Sequence, residues 1–215
     1  MANAPTGSSG RSRASVHLVP VATAPELSDS ALVAAVLEGA PLAPARLWGR
    51  YSELVRRLLR RSLGPSMDVE DAVQETFLRL FRDLSTLRDS AALRSFLIGI
   101  TLHVAYSELR RRRAKRWLLL SNDGQIPEHE WLTDVQPVEE RDAIMRLYRV
   151  LDRMDPRRRL VFVLRFIEGV ELSELSAVLG CSLATTKRRV SDAAQRVSCL
   201  AAKDPVLSSY LAGEE

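Results

Sequence analysis

An all-α architecture of two small helical domains is what this sequence predicts, and three observations predict it. Apolar residues recur at spacings of three and four through most of the chain, no segment alternates apolar and polar residues as a strand does, and Gly, Pro and acidic residues collect where the helical period breaks. A chain of 215 residues with 46% hydrophobic residues can bury one or two modest cores.

Residues 1–26 are rich in Ala, Ser, Gly and Pro without helical periodicity, the composition of a disordered tail. A helical bundle is expected over 27–117. Its first helix carries Leu32, Val33 and Val36 on one stripe and breaks at Gly39-Ala40-Pro41. The second starts near Pro44, a residue tolerated in a first turn. It runs through Leu47, Tyr51, Leu54, Val55, Leu58 and Leu59 to Gly64-Pro65. The third begins at Asp68 or Glu70, whose carboxylates suit a helix N-terminus, and continues through Val73, Phe77, Leu80 and Phe81. The fourth, 91–113, carries Leu93, Leu97, Ile100, Leu102 and Val104 and ends in Arg110-Arg111-Arg112-Arg113.

The period fades over 118–140, where Asp123, Glu128, Glu130, Asp134, Glu139 and Glu140 surround Gly124, Pro127 and Pro137, as in an acidic flexible linker. A second domain is expected over 141–200, followed by a tail over 201–215. Ile144, Leu147, Leu151 and Met154 restore the helical spacing, Asp155-Pro156 is an N-cap followed by Pro at the first helical position, and the next helix stops at Gly169. A short helix then points Leu172, Leu175 and Val178 or Leu179 inward. Gly180 turns the chain and Ser182 caps a final helix, so 171–197 has the parts of a helix-turn-helix in order. Thr186, Val190, Ala193 and Val197 share the inner face of that helix. Thr185, Lys187, Arg188 and Arg189 are then the expected base readers or phosphate clamps of a DNA-docking surface.

The formal net charge is +4, but the cations are nearly all Arg and clustered, as in Arg110–Arg113 and Arg157–Arg159, which favours phosphate partners. Cys181 and Cys199 have neither metal-ligand nor redox spacing, which fits a reducing cytosol. No apolar run is long enough to span a bilayer, and the chain is expected in the cytoplasm. Enzyme function has little to rest on: His17, His103 and His129 are scattered, with no nucleophile set, phosphate loop or metal cluster, so no cofactor, metal or small-molecule substrate is expected. A stand-alone transcriptional regulator, with an N-terminal bundle that senses or dimerises, remains open at this point.

Two blocks resemble one family. The segment Asp71-Ala-Val-Gln-Glu-Thr-Phe-Leu-Arg-Leu-Phe-Arg82 looks like the core-binding helix of domain 2 of bacterial sigma factors of the extracytoplasmic-function type. Leu164 to Val197, with Glu168-Gly169, Glu174-Leu175-Ser176 and Thr185-Thr186-Lys187, looks like sigma domain 4. The resemblance covers 28–197 and implies a subunit that binds core RNA polymerase, opens a minus-ten promoter element with domain 2 and reads a minus-thirty-five element with domain 4. It carries Asp71, Gln74, Glu75, Phe77, Arg79 and Leu80 to polymerase binding. It places His103 and Arg110, Arg111, Arg112 and Arg113 with Ser182, Thr185, Lys187, Arg188 and Arg189 on DNA, and it adds an anti-sigma protein as a further candidate partner. The loop 83–90 matches the place where family members hold a flipped base.

The chain departs from the family pattern at five places. Phe96, His103 and Ser107 stand where Trp, Asn and Asp are usual, Thr186 replaces a Val, and Asp192 replaces an Arg. The last of these sets a carboxylate among phosphate-facing residues, which implies weaker or altered minus-thirty-five binding.

Overall fold

The computed structural model describes residues 27–64, 67–120 and 138–212, and every regular element among them is helical. The expected N-terminal tail lies outside the described residues, as does 121–137 of the linker expected over 118–140. The two ends of that stretch, 118–120 and 138–140, are helical instead, as the last residues of one helix and the first of the next.

The N-terminal half is a bundle of α1 (Asp29–Leu37), α2 (Ala43–Leu63), α3 (Glu70–Asp83) and α4 (Leu93–Leu120), with two short 3₁₀ turns, Leu84–Thr86 and Ser90–Ala92, between the last two. Ser28 caps α1 by accepting from the Ala31 N–H, and the α1–α2 angle is fixed by Tyr51 donating to Asp29 at 2.5 Å beside an Arg50–Asp29 ion pair. Leu47, Val55 and Leu59 of α2, Val73, Phe77 and Leu80 of α3, and Leu93, Leu97 and Ile98 of α4 fill the core. In α2 and α3 the spacing of three, four and multiples of these puts each set on one face, and in α4 the adjacent Leu97 and Ile98 widen the buried stripe that Leu93 begins. α4 passes the arginine run without stopping, because nothing from Ala114 to Leu120 breaks a helix.

The C-terminal half comprises α5 (Val138–Asp152), α6 (Pro156–Phe162), α7 (Leu172–Val178), α8 (Leu183–Ala201) and α9 (Pro205–Ala212). Asp155 caps α6 by accepting from the Arg157 N–H, with Pro156 in the first turn. Beyond Phe162 the helix widens into a π turn over Val163–Ile167, in which the Glu168 N–H reaches back five residues to the Val163 carbonyl at 2.9 Å. Val150, Leu151, Met154, Val163, Val197, Leu200 and Leu207 form a second core. α9 lies where the sequence reads as a tail. Asp204 holds it, accepting from the Val206 and Leu207 N–H groups while receiving Arg146.

The two halves pack on one another. Leu160, Leu164, Val170 and Leu175 join the N-terminal core rather than the C-terminal one. Polar groups seal the seam: Glu168, its side chain 4% exposed, faces Arg57 at 3.2 Å and Arg61 at 2.9 Å. Arg61 Nη1 also donates to the Ile167 carbonyl at 2.9 Å, and Tyr148 donates to the Arg61 carbonyl at 3.1 Å. Arg159, 2% exposed, sends Nε to the Ser62 carbonyl at 2.8 Å and pairs with Asp152, and Arg94 pairs with Glu174. Burial lowers the pKa of the Arg159 guanidinium, while Asp152 opposes that shift.

Candidate nucleic-acid interface

The helix-turn-helix is built as its residue types require. Gly180 has φ +58°, a left-handed conformation that costs other residues more, and it lets α7 end and the chain reverse. Ser182 then caps α8: its Oγ accepts from the Thr185 N–H at 3.2 Å and lies 3.0 Å from the Thr185 hydroxyl. Thr185 is therefore half-buried with its hydroxyl engaged. Thr186 is fully buried and returns its own hydroxyl to the Ser182 carbonyl at 3.1 Å, so it substitutes for an apolar residue without an orphan polar atom. Ala193 and Val197 complete the inner face. Lys187, Arg188 and Arg189 are exposed together on the outside.

On α4, His103 is exposed, with Nδ1 2.9 Å from the Gly99 carbonyl. A carbonyl only accepts, so Nδ1 carries the proton of that bond. Tyr106 lies one turn on, between two guanidiniums, Arg110 at 5.8 Å and Arg157 of the other half at 5.5 Å from the ring centroid. Tyr106, Arg110, Arg113, Ala114, Asp155 and Pro156 line a cleft of about 320 Å3 along the seam.

The four arginines of the run do not form one clamp. Arg110 and Arg113 are exposed, whereas Glu108 receives Arg111 at 2.9 Å and Arg112 at 3.0 Å, and Arg112 also donates to the Leu63 carbonyl at 3.3 Å. Against the burial that would raise it, these hydrogen bonds hold the Glu108 carboxyl below its ordinary pKa.

α3 separates its expected residues by face. Asp71 and Gln74 are exposed, and Glu75 pairs with Arg79 at 2.7 Å one turn along. Phe77 and Leu80, expected with them at the polymerase surface, are 1% and 0% exposed and pack into the core of the bundle. Their exposed counterparts are Leu78, 66% exposed, and Trp48 of α2, whose ring lies 4.4 Å from that of Phe77. A Leu on the polar side of the α3 wheel is a signal that position alone supplies. The loop 83–90 is shaped by the 3₁₀ turn at Leu84–Thr86 and by Asp89, which caps the next one by accepting from the Ala91 N–H.

Comparison with known proteins settles the family. The model of sigma-70 region 2 matches residues 47–115, which hold most of α2, all of α3 and the described side chains of α4, and a model of sigma-70 region 4 matches residues 144–197. The ECF RNA polymerase sigma factor SigM of Mycobacterium tuberculosis is 29% identical over 179 residues, covering 81% of this chain and 85% of the relative. The chain is an extracytoplasmic-function sigma factor. The sigma factor CnrH of Cupriavidus metallidurans is 28% identical over 189 residues, covering 82% of this chain and 95% of that protein. A solved structure of CnrH in complex with the cytosolic domain of CnrY matches with a TM-score of 0.57 at 25% identity, covering 82% of this chain and 98% of that one.

Membership assigns the two halves of this sigma factor: α2–α4 hold region 2, and α6–α8 lie in region 4. A sigma factor binds core RNA polymerase and recognises promoters. The reading as a stand-alone regulator is set aside, because the N-terminal half is itself a sigma region. No helix among the described residues is long and apolar enough to cross a membrane.

Proposed function

We propose that this sigma factor reads a promoter at two separate places, a minus-ten element with α4 and the 83–90 loop and a minus-thirty-five element with α8. The observation that carries the reading is α8 itself. Lys187, Arg188 and Arg189 stand exposed within two turns of a capped N-terminus, the part of a helix-turn-helix that enters a major groove. On α4, His103, Arg110 and Arg113 are the exposed candidates, and Tyr106 is a stacking platform for an unpaired base once Arg157 leaves it. Arg111 and Arg112 support that surface through Glu108.

Core polymerase takes the α3 face. Asp71, Gln74, Glu75 and Arg79 form a mixed polar rim around exposed Leu78, with Trp48 beside it on α2. Phe77 and Leu80 set the position of that rim from below. The chain supplies no covalent chemistry of its own, needs no cofactor, and works in the cytoplasm where the polymerase is. CnrH is held by the cytosolic domain of another protein, and we extend the same kind of partner, an anti-sigma protein, to this chain.

Run-off transcription with core enzyme is the test, on duplexes enriched from a randomised pool by the wild-type holoenzyme. Wild type is expected to direct discrete starts. Arg188→Ala with Arg189→Ala should lose starts that depend on the upstream element, and Leu78→Ala should lose polymerase binding while the fold stands. The absence of any discrete start, or full activity of both variants, would sink the reading.

A further inference from the structure

The run Arg157-Arg158-Arg159 reads as one positive patch in the sequence. Successive helical positions point about 100° apart, however, and α6 sends the three side chains to three places. Arg157 covers the Tyr106 ring across the seam, and Arg159 is buried against the Ser62 carbonyl. Arg158 alone turns to the recognition helix, where its Nε donates to Asp192 Oδ2 at 2.7 Å. Both side chains are 48% exposed, and Nη1 and Nη2 of Arg158 have no hydrogen-bond partner among the described residues.

Asp192 follows Arg189 by three residues, Arg188 by four and Thr185 by seven, so it shares their side of α8. A bare carboxylate there would meet DNA phosphate with the wrong sign. We propose that Arg158 is a further phosphate-contacting residue of the α8 surface and that Asp192 is the positioning residue that delivers it. The bond through Nε uses one of the five guanidinium donors, and the four that remain on Nη1 and Nη2 suit a bidentate grip on a phosphate. A free arginine loses rotamer freedom when it meets DNA, whereas one already tethered has lost much of it beforehand. An exposed ion pair adds little to folding, so the pair acts on binding. A cation from α6 thus stands over the carboxylate that Asp192 places on this face. This inference rests on the reading of α8 as a DNA surface.

Holoenzyme binding to the enriched duplex, followed as affinity against salt, tests it. Arg158→Ala should weaken binding and flatten the log–log salt slope by about one. Asp192→Ala should also weaken binding in the wild-type background, but should strengthen it in the Arg158→Ala background, where it removes an uncompensated anion. Asp192→Glu should restore most of the slope, which a packing role would not produce. Strengthening by Asp192→Ala alone, or an unchanged slope in Arg158→Ala, overturns the assignment. Arg188→Ala with Arg189→Ala separates the two failures. If that variant flattens the slope while Arg158→Ala does not, only the role of Arg158 falls; if neither does, the reading of α8 falls and takes this one with it.

Discussion

On the side that α6, the π turn and α7 present to the N-terminal half, charges are put away. Glu168 is 4% exposed between two arginines, and Arg159 is 2% exposed with a carbonyl and a carboxylate. On the opposite side of the same small domain, Lys187, Arg188 and Arg189 stand in solvent, and the one carboxylate among them holds an arginine that keeps donors to spare. The difference teaches how to read a charged residue here. A buried charge is expensive unless paired, so its partners show what it was placed to hold. An exposed cation with unused donors is placed for something that comes later.

The contrast can be broken most forcefully at Glu168. Glu168→Lys would set three cations together at the seam, a juxtaposition that costs several kcal/mol, and the halves are expected to part. Small-angle scattering should show a larger radius of gyration, with α8 still folded by circular dichroism; an unchanged radius would mean that the apolar contacts of Leu160 and Leu164 hold the seam unaided. Next in size is Arg159→Ala, which removes charged hydrogen bonds and should cost about 2 kcal/mol in denaturant unfolding of the whole chain. On the DNA side, Ser182→Ala removes a cap and should cost about 1 kcal/mol, seen as a lower unfolding midpoint with an unchanged slope.

The smallest effect concerns Glu108. Its folded pKa is depressed, so its stabilising contribution is present above the unfolded value and disappears as pH falls through the folded one. Carboxyl chemical shifts should give a midpoint below the ordinary value of about 4.3. Arg111 and Arg112 should lose their bonds to Glu108 only in that acid range, with Arg112 still donating to the Leu63 carbonyl.

Much of this could be read from residues alone. Gly180 and Ser182 located the turn and the cap because each residue type solves a local backbone problem. The stripe Val73, Phe77, Leu80 located the buried face of α3. α9 was missed although Asp204-Pro205 repeats the Asp155-Pro156 signature, because only a short stretch follows it. The seam was not legible. Glu168-Gly169 marks a region 4 in the sequence, and nothing in a one-dimensional pattern says that its carboxylate will find Arg57 and Arg61 more than a hundred residues earlier.

The π turn at Val163–Ile167 makes that last point a matter of chain length. It inserts one residue more than an α-helical turn holds, so Glu168, which follows it directly, leaves the helix about 100° round from where an unbroken α-helix would place it. That offset bears on the direction in which Glu168 reaches Arg57 and Arg61 of α2. Deleting one residue from the turn would restore the ordinary period and swing the carboxylate off its arginines, with every seam side chain still present in the sequence. Substitution scans across these positions report on packing, whereas a single-codon deletion reports on register. The meeting of the two halves is thus encoded as a count of residues.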